Sequence, residues 1–326
     1  MEKYIKNILI KRISLFFDIN ITKEYSLELM REGRNNDLYK FQYKNLNLII
    51  KKYPKRKLLN FKREKLFYEY LSKMNIKNVP EYFFSIKKKL SVFSYLSGKK
   101  SNKIDNDNIK NSLRFIEKIN SKNVGNKFEF ASDGCSSVYD HIQIVSKRID
   151  NFNDLVEKNF KNKKIYFFLK RKLNPRFNFE KKLVLQNYKK QVKNKFKKNE
   201  LILSPSDFGF HNMLIKNKKT FFFDFEYSGM DDASKLFCDY ICQPDLQLNE
   251  KQIDLLLKKI NIKNKNNLEI KKRIKLLLNI HRIKWCMVML NIFLIKKKLN
   301  MNLKSNLKNL QNSQLNKSIN YFNRYL

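Results

Sequence analysis

The segment "SPSDFGFHNMLI" (residues 204–215) is the most informative part of the chain, together with "FFFDFEYSG" (residues 221–229) that follows it. Asp207 and Asn212 lie five positions apart in the first segment, and Asp224 follows a run of three phenylalanines in the second. The apolar run predicts a buried strand that would fix the carboxylate at its end. Carboxylate and amide oxygens are ligands that Mg²⁺ prefers. We interpret the two segments as the arms of a hairpin that holds a divalent cation.

Two interpretations of Asp207 compete. The letters Asp-Phe-Gly that begin at this residue match the metal loop of protein kinases, whereas its spacing from Asn212 matches the D-x-x-x-x-N of their catalytic loop. The first interpretation requires a catalytic Asp roughly twenty residues upstream, but residues 179–200 contain no Asp. The second requires a metal-binding Asp on the next strand, and Asp224 satisfies that requirement. We therefore assign Asp207 to a catalytic loop.

The chemistry of phosphoryl transfer explains this spacing. The reaction depends on in-line positioning and on compensation of the charge on the phosphates. A carboxylate at Asp207 would orient an acceptor hydroxyl and take its proton, while Asn212 and Asp224 would hold Mg²⁺ against the β- and γ-phosphates.

The charge pattern around Asp224 is reversed relative to the rest of the chain. Residues 221–249 contain one base, Lys235, and six acids (Asp224, Glu226, Asp231, Asp232, Asp239 and Asp245), in a chain whose formal charge is +40. Such a gathering favours metal ligation, although Asp231 and Asp232 also suit the N-cap of the next helix. The role of Asp239 stays open between the two.

Hydrophobic periodicity predicts an α+β fold with two lobes. Segments in which apolar and polar residues alternate predict strands at 24–30, 37–43, 46–53 and 89–96, and helical spacing predicts a helix over residues 57–73. Residues 107–200 are predicted to be mostly helical, with a break at "NPRF" (174–177). Short strands are predicted at 201–204 and 219–225, and helices from about residue 232 to the end. This order predicts a small β-rich N-lobe over residues 1–97 and a larger, mostly helical C-lobe over residues 98–326.

The predicted helix over residues 57–73 has an acid inside its apolar stripe. Glu64 lies three residues before Phe67, and a carboxylate on a buried stripe needs a cationic partner. The preceding strand offers Lys51 and Lys52 on opposite faces, and alternation alone leaves open which of them faces the helix. The competing interpretation is that Glu64 is solvated, as most helix glutamates are.

The two central segments resemble those of the aminoglycoside phosphotransferase and choline kinase-like small-molecule kinases. "SPSDFGFHNMLI" looks like their H-G-D-x-x-x-x-N catalytic loop, and "FFFDFEYSGMDDASKLFCDY" (221–240) looks like their metal segment. The resemblance implies a two-lobed protein-kinase-like fold, ATP as phosphate donor, Asp207 as the base, and Asn212 and Asp224 as ligands of Mg²⁺. The motifs that are specific to this family cover only about 40 residues of the chain.

A weaker resemblance extends over the N-lobe and implies a nucleotide site. "EGRNNDLYKF" (32–41) is similar to the hairpin that covers the nucleotide, "LIIKKY" to the strand with the phosphate-binding Lys, and "SYLSG" (94–98) to the hinge where adenine meets backbone amides. The nucleotide-binding residues that it implies are Lys51, Glu64, Gly33, Asn35, Asn36, Tyr95 and Leu96.

The chain departs from the family's pattern beside the catalytic Asp. Pro205 and Ser206 stand where the family has His and Gly, so a side chain that usually braces the metal loop is missing, although no reacting group is. We interpret His211 as a structural hydrogen-bonding residue. His281 and Trp285, four apart on a predicted helix, are interpreted as core residues that would at most line an acceptor pocket.

The composition bounds the remaining possibilities. The 70 Lys and Arg residues are spread along the chain, which favours a solvated surface over a nucleic-acid interface, although anionic substrates would be attracted. The four Cys residues form no CxxC pair, so neither a structural zinc site nor a disulfide framework is predicted. The longest apolar run, residues 285–295, is too short to span a bilayer, so we expect a cytoplasmic protein without a membrane partner.

These observations predict an ATP-dependent phosphotransferase that acts on the hydroxyl of a small molecule such as a sugar or an amino alcohol. Two rivals are a kinase-fold binding module without catalysis and, less favoured, a basic nucleic-acid-binding protein whose affinity would fall steeply with salt. The acceptor, the choice between ATP and GTP, and the oligomeric state stay open.

Overall fold

The computed structural model describes residues 3–22, 24–30, 36–101, 103–124, 126–158, 163–294 and 301–326, with the side chains of 155–158 and 301–306 left out. Its strands are β1 Ser26–Met30, β2 Asp37–Tyr43, β3 Leu46–Lys52, β4 Tyr82–Ile86, β5 Leu90–Ser94, β6 Ile202–Ser204, β7 Met213–Lys216, β8 Lys219–Phe222 and β9 Gly229–Asp231. Its helices are α1 Lys3–Phe17, α2 Leu58–Lys73, α3 Asn106–Ile119, α4 Val138–Lys158, α5 Lys163–Phe167, α6 Asn174–Tyr188, α7 Ala233–Cys242, α8 Glu250–Lys259, α9 Asn267–Leu290 and α10 Met301–Tyr325.

The chain divides into two compact units. The first comprises Met1–Ser101 with Asn212–Ser228, and the second comprises Asn102–His211 with Gly229–Leu326. The division after residue 101 lies close to the predicted boundary at residue 97, but residues 212–228, which the sequence placed in the C-lobe, belong to the first unit.

The first unit is built on an antiparallel sheet in the order β1-β2-β3-β5-β4. Alternating apolar residues fill one face of this sheet, where Phe41, Leu48 and Ile50 pack with Leu9 and Ile13 of α1. Helix α2 follows β3 and packs against β4. The mixed α and β content confirms the predicted fold class.

The hairpin of β7 and β8 accounts for the assignment of residues 212–228 to the first unit. The N–H of Lys99 donates to the carbonyl of Ile215 at 2.9 Å, and the N–H of Phe222 donates to the carbonyl of Asn78 at 3.0 Å. Gly98 permits this close approach, because a Cβ there would lie 2.7 Å from the Cβ of Leu214.

The second unit is mainly helical, with α9 packed against α4, α6, α7 and α10. Among the described residues, the stretch Asn267–Leu294 is the one helical stretch long and apolar enough to cross a membrane by length and composition, and half of its apolar window is buried inside the protein. The central helix of a globular core meets the same criterion, so the apolar composition of α9 follows from its place in the core.

The helical break predicted at "NPRF" is wrong. Residues 163–188 run as consecutive helical turns, and a π-helical turn, Phe168–Leu173, directly precedes Pro175 in the first turn of α6. Pro175 has no N–H to donate to the preceding turn, and its ring crowds the carbonyl four residues earlier. The N–H of Asn174 donates to the carbonyl of Leu169, five residues earlier, so the wider turn keeps the chain helical.

Candidate active site

Lys51 is the centre of a buried ion-pair cluster in the first unit. It lies near the end of β3, and its Nζ is 2.8 Å from Glu64 Oε2, 2.6 Å from Asp224 Oδ1 and 3.5 Å from Glu226 Oε2. The neighbouring Lys52 instead pairs with Asp37 at 3.6 Å on a more exposed surface. The alternation of residues left open whether Lys51 or Lys52 faces the helix, and the structure shows that Lys51 is the lysine that contacts Glu64.

Burial disfavours the ammonium form of Lys51, but the charges of Asp224 and Glu64 outweigh that effect and raise the pKa of Lys51 well above its usual value. The lysine is therefore a fixed positive charge at neutral pH.

Glu64 connects the sheet, α2 and the metal segment. Its side chain is almost fully buried, and its Oε2 accepts hydrogen bonds from Lys51 Nζ and, at 2.5 Å, from the hydroxyl of Tyr53. Its Oε1 accepts the N–H of Phe225 at 3.2 Å. Burial raises the pKa of Glu64, while Lys51 acts in the opposite direction. The solvated interpretation of Glu64 is wrong.

Asp224 follows the end of β8 in a left-handed backbone conformation, with φ of +67°. Aspartate tolerates this conformation better than most residues. Hydrogen bonds fix the backbone on both sides, because the N–H of Phe223 donates to the carbonyl of Asn212 at 3.2 Å and the N–H of Phe225 donates to Glu64. The backbone of Asn212 thus lies beside the residue that precedes Asp224. The Asp224 side chain remains 40% exposed.

Glu226 belongs to the same cluster, although the sequence gave it no individual role. It is buried, and it accepts hydrogen bonds from Asn36 Nδ2 at 2.5 Å and from Lys57 Nζ at 3.4 Å. Among the described residues, the Oδ1 of Asn36 is a buried acceptor without a hydrogen-bond partner. Of the predicted hairpin residues, Gly33 and Asn35 lie outside the described residues.

The donor set of this cluster fits a hard divalent cation. Glu64, Asp224 and Glu226 each offer a carboxylate oxygen, and these three oxygens lie within 4.8 Å of one another. Mg²⁺ and Ca²⁺ are bound by oxygen ligands of this kind. Glu64 and Glu226 are both buried and already engaged by several donors, so the partly exposed Asp224 is the carboxylate best suited to ligation.

The predicted hinge residues follow β5 directly. The N–H of Tyr95 donates to the carbonyl of Asn47 at 3.2 Å, and Lys40 Nζ lies 4.9 Å from the centre of the Tyr95 ring. Leu96 comes next in the chain and is half-buried. The N–H of Tyr95 is thus engaged in a hydrogen bond within the first unit. A role for Tyr95 and Leu96 in adenine binding stays a prediction.

Asp207 lies in the second unit, in the loop after β6. Its Oδ1 is 3.1 Å from Nε2 of His211, whose Nδ1 is in turn 3.1 Å from Nε2 of Gln243. Buried aromatic rings hold the loop, because Phe208 and Phe210 pack on Tyr240 of α7 at ring-centre distances of 5.8 and 4.9 Å. His211 is thus a hydrogen-bonding residue, and its partner is the predicted base.

Ser206 provides a test of the backbone at this loop. It stands where the resembling family has Gly, and its φ of +65° is left-handed, a conformation that costs an L-residue about 1 kcal/mol. We expect the free energy of unfolding of Ser206→Gly, measured by urea denaturation, to exceed that of Ser206→Ala by about 1 kcal/mol, since both variants lose the hydroxyl that donates to the carbonyl of Ser132 at 3.4 Å. Ser206→Ala is the control, since it removes the hydroxyl but keeps the Cβ. Equal effects of the two substitutions would contradict the assignment of strain to this residue.

The remaining acids of 231–239 form a structural network in the second unit. Asp232 is the N-cap of α7, with its side chain accepting the N–H of Ser234, as one of the two interpretations predicted. Asp239 contacts Lys284, His281 and, at 3.6 Å, Lys235. Burial opposes ionisation of Asp239, but Lys284 and His281 hold its pKa well below the usual range. Asp239 is therefore satisfied by cations within this unit.

The sequence predicted that His281 and Trp285 are core residues. His281 is buried, whereas Trp285 is half-buried. His281 lies 2.9 Å from His141, and burial lowers the pKa of His281 to about 3. It is a neutral core side chain at ordinary pH.

A polar cavity of about 570 Å³ opens beside α10 in the second unit. One face of α10 supplies its lining through Asn316, Lys317, Asn320 and Arg324, and the loop after α7 supplies Pro244 and Gln247. Lys317 is paired with Asp245, and Lys164 Nζ donates to Asn316 Oδ1 at 2.7 Å. The described lining also includes the hydroxyl of Ser313 and the ring of Tyr321, and it contains no carboxylate.

Comparison with known proteins identifies the fold. No protein-family model matches the chain, and no curated protein sequence matches it. Among solved structures, a spectinomycin phosphotransferase in complex with ADP and spectinomycin is similar with a TM-score of 0.62 and 13% identity, covering 97% of this chain and 98% of that one.

Two choline kinase structures are similar to the same extent. The choline kinase of Cryptosporidium parvum Iowa II has a TM-score of 0.58 and 13% identity, with 98% of this chain and 96% of that chain covered. The choline kinase of Streptococcus pneumoniae has a TM-score of 0.58 and 15% identity, covering 99% and 100%. The chain therefore has the protein-kinase-like fold of the small-molecule kinases that its motifs resemble.

Proposed function

We propose that this protein is an ATP-dependent phosphotransferase that moves the γ-phosphate to a hydroxyl of a small molecule. The observation that carries the proposal is the buried Lys51–Glu64 pair joined to Asp224, because this is the arrangement that phosphate binding and metal ligation require in kinases. Two of the similar solved structures, a choline kinase and a spectinomycin phosphotransferase, align with this chain over at least 97% of its length, and the second was solved with ADP.

Each residue has a distinct role in this proposal. Lys51, oriented by Glu64, binds the phosphates of ATP, and the buried partner keeps its side chain extended toward them. Asp224 and Asn212 ligate Mg²⁺, with Glu226 as a further oxygen donor at the same cluster. When bound, Mg²⁺ neutralises charge on the transferring phosphoryl group. Asp207 orients the acceptor hydroxyl and accepts its proton.

The cavity beside α10 supports a neutral or anionic acceptor. Its amides, Asn316, Asn320 and Gln247, suit the hydroxyl groups of a sugar, and Arg324 suits an acidic substituent. A cationic amino alcohol would favour a free carboxylate, which the described lining does not supply, and the nearby Asp245 is already paired with Lys317. A sugar or a sugar acid is therefore the favoured acceptor class.

An acceptor screen tests the proposal. ADP release with Mg²⁺ and ATP would be measured for neutral sugars, sugar acids and phosphates, amino alcohols and aminoglycosides, with Asp224→Ala as the blank. We expect stimulation by a member of the first two groups, and we expect Asp224→Ala to lower it by at least about a hundredfold, because a ligand of the metal is lost.

Three outcomes of this screen would count against the proposal or against a part of it. Nucleotide binding without ADP release for any acceptor would favour a kinase-fold binding module that transfers nothing. Release that is unchanged in Asp224→Ala would mean that a contaminating enzyme produces the ADP. Strong stimulation by amino alcohols alone would refute the acceptor class while leaving phosphotransfer intact.

A further inference from the structure

The carboxylate of Asp207 is held by two residues that no motif marks. The resembling family places His two positions before its catalytic Asp, whereas this chain has Pro205, whose side chain has no donor. In the structure a different histidine, His211, contacts Asp207 from four residues downstream, and Gln243 contacts His211 from the end of α7. All four residues lie in the second unit.

Backbone hydrogen bonds fix the orientation of the Gln243 amide. Its Oε1 accepts the N–H of Asp245 at 2.7 Å and the N–H of Leu246 at 3.0 Å. Because N–H groups donate to an oxygen and never to an NH₂ group, the atom that faces His211 is Nε2. Gln243 is almost fully buried, so water offers no substitute for these contacts.

The amide orientation in turn determines the tautomer of His211. Nε2 of Gln243 can only donate, so Nδ1 of His211 must be the unprotonated nitrogen that accepts, at 3.1 Å. In the neutral ring the hydrogen then resides on Nε2, which donates to Asp207 Oδ1 at 3.1 Å. The direction of every hydrogen bond from the backbone to the carboxylate is thereby assigned.

Gly209 lets the loop backbone lie close to the imidazole of His211. A Cβ at Gly209 would lie 2.9 Å from Nδ1 of His211, 3.0 Å from its Cε1 and 3.3 Å from Cγ of Gln243. Only glycine therefore lets the loop approach the ring this closely.

We infer that His211 and Gln243 are positioning residues for Asp207, an assignment that rests on the proposed phosphotransferase function. The neutral imidazole holds Oδ1 by its Nε2–H, so that the carboxylate meets the acceptor hydroxyl in a single orientation.

Imidazole ¹⁵N NMR on the full chain tests the hydrogen-bond assignment without any substrate. The chain has three histidines, so comparison with His211→Gln identifies the signals of His211. We expect the neutral tautomer with hydrogen on Nε2. In Gln243→Glu, a carboxylate that can only accept would face Nδ1, and we expect hydrogen to appear on Nδ1. An Nδ1–H tautomer in the unaltered protein would overturn the assignment.

Kinetics of two His211 variants test the positioning role, with ADP release from Mg-ATP and water as the acceptor. His211→Gln keeps an N–H donor at similar reach, whereas His211→Phe keeps a ring without one. We expect kcat of His211→Phe to fall by roughly ten- to a hundredfold, with the KM for ATP within about twofold of the unaltered protein. His211→Gln should keep most of the rate.

The outcomes separate this inference from the function on which it rests. An active unaltered protein in which His211→Phe and His211→Gln have the same kcat would refute the positioning role alone. An unaltered protein that releases no ADP with any acceptor would refute the proposed function, and with it the positioning role, even if the NMR tautomer is as assigned. Thermal denaturation of both variants shows whether a lower rate reflects a loss of folded protein.

Discussion

Asp207→Asn should lower kcat by about 10² to 10⁴, because the amide cannot accept the proton of the acceptor hydroxyl. The substitution conserves volume, and the amide oxygen can still accept the N–H of His211, which lies 3.1 Å from Asp207 Oδ1. The loop should therefore stay in place, and the affinity for Mg-ATP should change by no more than about twofold. ADP release gives the rate, and isothermal titration of a non-hydrolysable ATP analogue gives the affinity.

Asp107→Asn provides the matched control for this experiment. Asp107 is an exposed residue in the first turn of α3 that pairs with Lys110 at 2.9 Å, a surface contact of little energetic weight. Its replacement by Asn should leave both kcat and the affinity unchanged. If Asp207→Asn were as active as Asp107→Asn, another group would have to accept the proton and the assignment of the base would fail. Parallel loss of rate and of nucleotide affinity would instead indicate a disturbed fold.

The sequence predicted most of the elements that carry these residues, because their periodicity is local. Strands β2, β3 and β5 and helix α2 lie within a few residues of their predicted bounds. An ion pair of Glu64 with a lysine of the preceding strand could also be predicted, because a carboxylate inside an apolar stripe requires a cation. Alternation could not choose between Lys51 and Lys52, because that choice depends on which face of the sheet α2 covers.

The contacts that the sequence did not reveal are made over long separations. Glu226 follows Asp224 by two residues, in a segment whose sequence is typical of an exposed turn. It is nevertheless buried, and its partners Asn36 and Lys57 lie 190 and 169 residues away in the sequence. Gln243 is equally inconspicuous, since its role depends on backbone N–H groups that orient its amide. The sequence signals for Glu226 were the density of acids in a basic chain and its place in the segment that resembles the family's metal segment.

Lys51→Met should have the largest effect on the folded state, and it should also abolish ADP release. The substitution leaves Glu64 and Glu226, both almost fully buried, without their shared cation. Breaking a buried ion pair by removing one partner costs about 3–5 kcal/mol. Urea denaturation at pH 7.5 would measure the loss, and Lys52→Met is the matched control. Lys52 pairs with Asp37 at 3.6 Å on a partly exposed surface, so its removal should cost less than about 1 kcal/mol.

The pH dependence of Lys51→Met identifies Glu64 as the origin of the loss. Burial raises the pKa of Glu64 in the folded protein, and removal of Lys51 takes away the group that opposes this rise. A folded-state pKa above the unfolded value means that the protonated carboxyl contributes stability below the unfolded pKa, near 4.5, and that this contribution is lost as the pH rises. Lys51→Met should therefore be closest to the unaltered protein near pH 5 and furthest from it at pH 7.5.

The double variant Lys51→Met with Glu64→Gln separates stability from catalysis. A glutamine at 64 carries no charge, and its amide oxygen can still accept the N–H of Phe225, which Glu64 accepts at 3.2 Å. Stability at pH 7.5 should recover in part, because the unpaired buried charge is gone. ADP release should not recover, because no cation remains to bind the phosphates of ATP. Recovery of both properties, or equal behaviour of Lys51→Met and Lys52→Met, would show that Lys51 is not the phosphate-binding lysine.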